Sequence, residues 1–370
     1  METKRAEESN RQRRQMKILY FTFLGLSVIN FLALIVAWIY VYLKYDKEYK
    51  SDFKNEYNRE FIDDYNVEVI DYLINKNITP NALSASIMNL IYKKVIQVEE
   101  IPSNKKKKEY KFTLNRENEN INETETYLIN FLFTKVGKDD TFTTQELQSY
   151  AKSTKTCEKF SNSYTTWKNK VIKDGKEQNF FESTAIPKII SILFSVFGFL
   201  IITFASIFNV VLPLIFINLG LSFIFMIYTF AFFKRTKKGN DDYTKWKAFK
   251  KFLNDFGTFD TKELPEIILW ERYMVYATIF GLAEKVSKVM NVKIKEIEES
   301  GISVTNYNPT FSDWYVFNSL NNIVTNSVRS NVSAVTAQRV SSYSSSGGGS
   351  GGGFSSGGGF GGGGGGGHGF

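Results

Sequence analysis

The sequence is short of the residues on which most enzymes and metalloproteins depend. Its 370 residues include one cysteine, Cys157, and one histidine, His368. A single cysteine excludes an internal disulfide and any cysteine-cluster metal site. A single histidine in a glycine tail excludes a zinc site of the usual kinds, a Ser-His-Asp or Cys-His nucleophile, and haem ligation by a positioned histidine. We therefore expect no catalytic residue, no metal ligand and no cofactor.

Adjacent acidic residues leave one enzymatic alternative formally open, a hydrolase with paired carboxylates. The two pairs are Asp63 with Asp64 and Asp139 with Asp140. Neighbouring side chains point in different directions on most backbones. We interpret both pairs as loop or cap residues.

Charge is absent from two long stretches of the chain. Residues 18–43 carry no charged side chain, and at 1.5 Å per residue a helix of this length exceeds the hydrocarbon core of about 30 Å. Residues 189–233 are also free of charge and are long enough for two spans. Asn209 and Pro213 mark the turn between them. The sequence predicts transmembrane helices at 18–43, 189–208 and 210–233, in a mainly α membrane protein.

The flanking charges predict the orientation of the spans. Positive residues follow the cytoplasmic ends of spans more often than the outer ends, and they lie at both ends of the predicted hairpin: Lys188, Lys234, Arg235, Lys237 and Lys238. Residues 44–188 and 234–370 should therefore be cytoplasmic, in a multi-pass protein of the cell membrane. The N-terminus should then lie outside. The charged juxtamembrane segment 1–17 favours the opposite orientation, and we give priority to the hairpin because both of its flanks agree.

The middle of the chain predicts a small α+β domain. After a linker helix at 44–61, two helices and two β-prone runs at 62–116 have the outline of a winged-helix unit, and a second helical unit follows at 117–186. The helix that begins at Thr79-Pro80 would be the recognition helix, with Asn81, Ser84, Ser86, Met88 and Asn89 exposed. A possible phosphate contact lies in the turn between the strands, at Lys105, Lys106, Lys107 and Lys108.

The charge of the middle region argues against nucleic acid as a partner. Residues 44–188 carry 24 basic and 23 acidic side chains, whereas nucleic-acid binding needs an excess of positive charge. The net charge of +8 comes mainly from residues beside the spans. A solvated turn is the simpler interpretation of the four lysines.

The last third of the chain predicts a helical pair at 241–300, an irregular segment at 301–340 and a disordered glycine- and serine-rich tail at 341–370. The tail holds 17 of the 26 glycines. It lacks the apolar residues that would offset the entropy of ordering it. No Lys-Ser/Thr follows its glycines, so it is not a phosphate loop.

The segments KWKAFKKFLNDFGTF and LPEIILWERYMVYATIFGLAEKVSKVM, followed by a serine-to-glycine tail, resemble the YciQ-like predicted membrane proteins, a bacterial family of unknown function. The family-signature residues, which we expect to be structural, are Trp246, Phe249, Phe256, Trp270, Glu271, Tyr273 and Tyr276. Members usually carry a β-rich extracytoplasmic domain before the first span. The resemblance therefore implies a short form without that domain, and it supplies no catalytic residues.

These features favour a non-enzymatic membrane protein that acts as a scaffold or sensor through cytoplasmic protein–protein contacts. Its expected partners are the lipid bilayer and either an unidentified protein or a second copy of the chain. Two alternatives remain: a membrane-tethered nucleic-acid binder that uses the winged-helix-like unit, and an accessory subunit of a transport complex.

Overall fold

Helices dominate the chain, as the sequence predicts, and one small sheet lies among them. The computed structural model describes residues 2–62, 65–102, 108–117, 121–259, 269–299 and 315–345. The helices of this part are α1 (Glu2–Val41), α2 (Val67–Asn75), α3 (Pro80–Tyr92), α4 (Glu123–Asn130), α5 (Thr144–Lys152), α6 (Cys157–Glu177), α7 (Ala185–Ile207), α8 (Pro213–Ala231), α9 (Lys237–Asn254), α10 (Trp270–Ile279), α11 (Ala283–Glu299) and α12 (Tyr315–Ser345). The strands are β1 (Ile96–Ile101), β2 (Glu109–Leu114) and β3 (Thr141–Thr143).

Helices α1, α7 and α8 pack together and form the membrane bundle. Each is long and apolar enough to cross a bilayer, which confirms the three predicted spans. Their outer faces expose large apolar side chains, for example Phe21 at 66% and Leu193 at 62%. Such a surface is stable only when lipid covers it. Inside the bundle, the Asn218 side-chain amide donates to the carbonyl of Ser27 at 2.8 Å and links α8 to α1.

Helix α1 runs without interruption from Glu2 through the charged N-terminal segment and to Val41 in the first span. Its 40 residues correspond to about 60 Å, roughly twice the thickness of the hydrocarbon core. Met16 and Lys17 line the same cavity as Asn209 and Val210 of the α7–α8 turn. The first residues of the chain therefore lie at the same end of the bundle as this turn, opposite the end that joins the rest of the chain.

The prediction of a linker helix at 44–61 is wrong. The helical backbone that continues α1 ends at Asp46, and the chain is then irregular up to α2. Tyr57, Arg59 and Phe61 lie at alternate positions and contact α9, α10 and Phe259 beyond α9. This spacing of two residues is that of an extended segment. Packing against the soluble part outweighs the local helical preference.

The remaining described elements share one apolar core, which includes the sheet and helices α2–α6 and α9–α12. The sheet is antiparallel with strand order β1-β2-β3. Ile96 pairs with Leu114, and Phe112 pairs with Phe142. The predicted order of helix, helix and hairpin is present. Strand β3 belongs to the predicted second unit, however, so the two units share one sheet. The winged-helix interpretation stays a prediction. We call this assembly the soluble body.

Helix α3 is covered, and the expected exposure of its surface is wrong. Ser84, Ser86 and Met88 are each at most 2% exposed. Helices α10 and α12 pack on the faces of α3 that would otherwise meet solvent. Both helices are distant from α3 in the sequence, so the local pattern of α3 cannot predict its burial.

The C-terminal region differs from the predicted pair of helices. Residues 260–268 lie outside the described part, and a break at Gly281, with φ of +73°, separates α10 from α11. A positive φ of this size favours glycine. The irregular segment predicted at 301–340 is wrong for residues 315–340, which are helical. An apolar stripe orders this helix against the soluble body: Phe317, Leu320, Val324, Val328 and Val335. The disordered tail predicted at 341–370 is wrong for residues 341–345, which belong to α12, and the remainder lies outside the described residues.

Candidate functional site at the membrane junction

The chain passes between the bundle and the soluble body at three places: after α1, before α7 and after α8. Two of these segments pair as a short antiparallel bridge between Phe181 and Arg235. The amide of Glu182 donates to the carbonyl of Lys234 at 2.8 Å, and the amide of Thr236 donates to the carbonyl of Phe180 at 2.9 Å. We call residues 44–49, 180–184 and 232–236, with the side chains that contact them, the junction.

Arg235 is a buried residue of the junction that donates several hydrogen bonds. It is 7% exposed. Its Nη2 donates to the carbonyls of Leu73 at 3.2 Å and Ile74 at 3.0 Å, and its Nε donates to Leu73 at 3.3 Å. These carbonyls belong to the last turn of α2, where no intrahelical donor is available. A cation also suits the negative end of a helix dipole. Arg235 therefore caps α2 from the end of α8.

Two further contacts fix the orientation of the guanidinium group. Its Nη1 lies 3.4 Å from Oε1 of Glu48, and its Cζ lies 3.7 Å from the ring centroid of Tyr243 on α9. Burial lowers the pKa of Arg235, while Tyr243 and Glu48 raise it. Arginine stays charged because its ordinary pKa lies far above physiological pH. The buried charge thus joins α2, α8, α9 and the segment after α1.

Lys234 holds the segment after α1 in a similar way. It is 6% exposed, its Nζ donates to the carbonyl of Lys44 at 3.0 Å, and it lies 4.2 Å from the ring centroid of Tyr49. Tyr49 in turn donates its hydroxyl to Glu182 at 3.2 Å. Its carbonyl accepts from Asn240 of α9 at 2.6 Å. All three crossing segments are therefore bonded to one another.

The description "predicted membrane protein (DUF2207), C-terminal domain" matches residues 54–290. The chain belongs to this family. The match covers α2 to α10 and most of the junction, whereas α1 and α12 lie outside it. It confirms the resemblance drawn from the sequence at the level of the family, although the label YciQ-like is not part of the description. No curated protein and no solved structure matches the chain.

In this DUF2207 chain the family-signature aromatic residues form a buried cluster behind the junction. Trp246, Phe249, Phe256, Trp270, Tyr273 and Tyr276 are all at most 4% exposed. The ring centroids of Trp246 and Tyr276 lie 5.1 Å apart. Tyr273 donates its hydroxyl to the carbonyl of Arg59 at 3.0 Å. The cluster therefore anchors the extended segment that leads from the junction to α2.

Glu271 is the signature residue that does not belong to the aromatic cluster. Its carboxyl is partly buried, which raises its pKa to about 7, and Lys94 acts in the opposite direction. A structural role remains the prediction for this residue.

Of the other residues singled out from the sequence, those that the structure describes lie away from the junction. Lys105, Lys106 and Lys107 are outside the described part, and Lys108 pairs with Glu100 at 3.0 Å. Asp63 and Asp64 are also outside it. Asp139 and Asp140 both have positive φ, and Asp140 pairs with Arg116 at 2.7 Å. Among the described residues, no group of three acidic, cysteine or histidine side chains could hold a metal ion.

Sequence reasoning treated Lys234 and Arg235 only as topology signals and missed their buried contacts. One local signal was available next to them. Thr236 accepts at its Oγ1 from the amide of Gly239 at 3.0 Å, a Thr-x-x-Gly helix start. A Cβ at Gly239 would lie 2.3 Å from the carbonyl oxygen of Phe180. The pattern indicates a close backbone approach, but it does not identify the partner.

Proposed function

We propose that this DUF2207-family protein is a non-enzymatic membrane sensor or scaffold that acts through protein–protein contacts of its soluble body. The observation that supports the proposal is the buried Arg235, which bonds the short segment after membrane helix α8 directly to α2 of the soluble body. A flexible anchor would need no such bond.

The junction allows a movement of the bundle to reach the soluble body. Because Arg235 binds the last carbonyls of α2, a rotation or shift of α8 must either move α2 or break buried charged hydrogen bonds. Helix α2 packs against α3, α6 and α10. A change in the bundle, whether from lipid or from a membrane partner, would then alter the position of several helices of the soluble body together. This is the physical basis of a sensor.

The proposal includes the sidedness of the protein. The soluble body lies on the cytoplasmic side, because Lys188, Lys237 and Lys238 flank the spans at that end and positive residues favour the cytoplasmic side. The N-terminal end of α1 then lies outside the cell. Labelling of intact cells with a membrane-impermeant maleimide tests this orientation. The protein carries C157S to remove its own cysteine and one added cysteine, either S9C on α1 or K47C at the junction. We expect labelling of S9C alone, and labelling of K47C alone would overturn the orientation.

Neither alternative function has an observation that favours it. The helix that would read DNA is covered by α10 and α12. The bundle contains polar groups such as Asn30 and Asn218, but residues 18–43 and 189–233 contain no Asp, Glu, Lys, Arg or His. Ion pathways through membranes generally need such groups.

Site-specific photocrosslinking tests the proposed function on the full-length protein. Val292 on α11 and Val340 on α12 are 56% and 63% exposed, so a photoreactive residue at either position reports on contacts of the soluble body. We expect a defined crosslinked species, either a second copy of the chain or one protein at fixed stoichiometry. R235Q should weaken it, whereas K237Q, which removes a charge from a 71% exposed side chain, should not. Absence of any defined species at both positions would contradict the proposal.

A further inference from the structure

A polar cleft separates α5 from α12 on the soluble body, away from the junction. Its volume is about 700 Å³, which lies within the range of small-molecule sites. Helix α5 contributes Gln145, Gln148 and Lys152, and helix α12 contributes Asn322, Asn326 and Arg329. The spacing of three and four residues places each set along one face of its helix. The cleft is thus lined by two facing rows of amides, each of which ends in a cation.

The two cations lie at the same end of the cleft. Asn331 donates its side-chain amide to the carbonyl of Ala151 at 2.8 Å, which brings the turn of α12 that carries Arg329 next to Lys152. The opposite end is formed by Lys108 and Glu109 of β2. There Tyr110 donates its amide to the hydroxyl of Thr144 at 3.2 Å. The length of α5 separates these ends by about 12 Å.

Charge at the Lys152 end is uncompensated. Neither Lys152 nor Arg329 forms an ion pair with any residue that the structure describes. The sequence of α12 contains no acidic residue. Glu146 of α5 is engaged in the capping of its own helix. The acid that lines the cleft, Glu109, belongs to the opposite end. Two cations at one end of a cleft attract an anion to that end.

The rest of the lining indicates what the anion is attached to. Amides and hydroxyls predominate, and they donate and accept hydrogen bonds as sugar hydroxyls require. Among the described residues that line the cleft there is no aromatic side chain, and hence no ring on which a nucleobase could stack. Arginine also forms paired hydrogen bonds with phosphate oxygens.

We propose that the cleft binds a phosphorylated sugar, with the phosphate between Lys152 and Arg329 and the hydroxyls along the amides of α5 and α12. The site goes beyond the proposed function and does not depend on it. Because α12 supplies half of the contacts, the bound ligand also holds α12 on the soluble body.

Calorimetric titration of the full-length protein in an uncharged detergent tests the site, with glucose 6-phosphate, inorganic phosphate and glucose as probes. We expect glucose 6-phosphate to bind more tightly than either of its parts. K152Q and R329Q should each weaken it about tenfold or more, because each removes a charged hydrogen bond. R339Q removes a charge from α12 at a 69% exposed side chain outside the cleft and should leave the affinity unchanged.

The rate at which the Cys157 thiol is modified provides a second measurement of binding and a control for folding. This thiol donates to Gln338 of α12 at 2.8 Å and is buried. Glucose 6-phosphate should slow its modification by a thiol reagent in the wild type, and each variant without ligand should keep the wild-type rate if it is folded. The proposal would be overturned if folded K152Q and R329Q bound glucose 6-phosphate as tightly as the wild type does. It would also be overturned if the wild type did not bind glucose 6-phosphate at millimolar concentration. Equally tight binding of inorganic phosphate would overturn the sugar assignment.

Discussion

Replacement of Arg235 by glutamine should uncouple the soluble body from the bundle. The change removes the charge, three hydrogen bonds to the carbonyls of Leu73 and Ile74 and the contact with Tyr243. Hydrogen bonds to a charged group contribute about 1.5–3 kcal/mol, and a desolvated cation–π contact contributes about 2 kcal/mol. Glutamine can restore one bond. These values are not additive, because Nε and Nη2 share the carbonyl of Leu73. We expect the free energy of unfolding to fall by about 3–5 kcal/mol, the usual cost of breaking a buried ionic contact.

Hydrogen exchange of the full-length protein in detergent measures this loss where it occurs. A cost of about 3 kcal/mol corresponds to roughly a hundredfold increase in the opening of α2 and of residues 180–184. R235K, which keeps the charge but not the planar fork, should lie between wild type and R235Q. K237Q is the matched control. Equal exchange in R235Q and K237Q, or a loss of protection spread evenly over α4–α6, would refute the coupling argument.

Three further variants test other parts of the structure. Burial raises the pKa of Glu68 to about 7, above its unfolded value of 4.5. The neutral carboxyl therefore contributes about 3 kcal/mol to the stability of the fold, which is fully present below pH 4.5 and is lost as the pH rises through 7. E68Q should remove that pH dependence in unfolding followed by tryptophan fluorescence. G239A should lower the melting temperature, since its Cβ meets a carbonyl, whereas G220A, with nothing within 4 Å, should not. N331A removes two bonds from α12 and should expose the thiol of Cys157 to modification at least tenfold faster.

The membrane spans were predictable because they depend on composition alone. A stretch of 26 residues without charge, such as 18–43, is long enough to cross a bilayer as a helix and is most stable there. The α7–α8 turn was predictable for a similar reason. Asn209 adopts a positive φ and Pro213 begins α8, as their local preferences suggest. These features need no knowledge of distant residues.

The junction and α12 were not predictable because they depend on distant contacts. Nothing near Arg235 in the sequence identifies Leu73 as its partner, and a lysine or arginine after a span normally indicates orientation only. Helix α12 is rich in serine and asparagine, which favour loops when considered locally. Its order comes from an apolar stripe that fits α3, α5 and α6. The aromatic signature was identified from the sequence, but its contact with the segment after α1 was not.

Arg235 has two separable physical roles, and their separation is what makes the junction testable. During membrane insertion it is one of several positive charges beside α8, and in that role Lys237 is equivalent to it. After folding the two differ completely: Arg235 is 7% exposed and bonded to α2, whereas the Lys237 side chain is 71% exposed. Variants that remove either charge therefore change the insertion signal equally and the junction unequally. A functional difference between R235Q and K237Q at equal membrane levels must arise from the bond to α2.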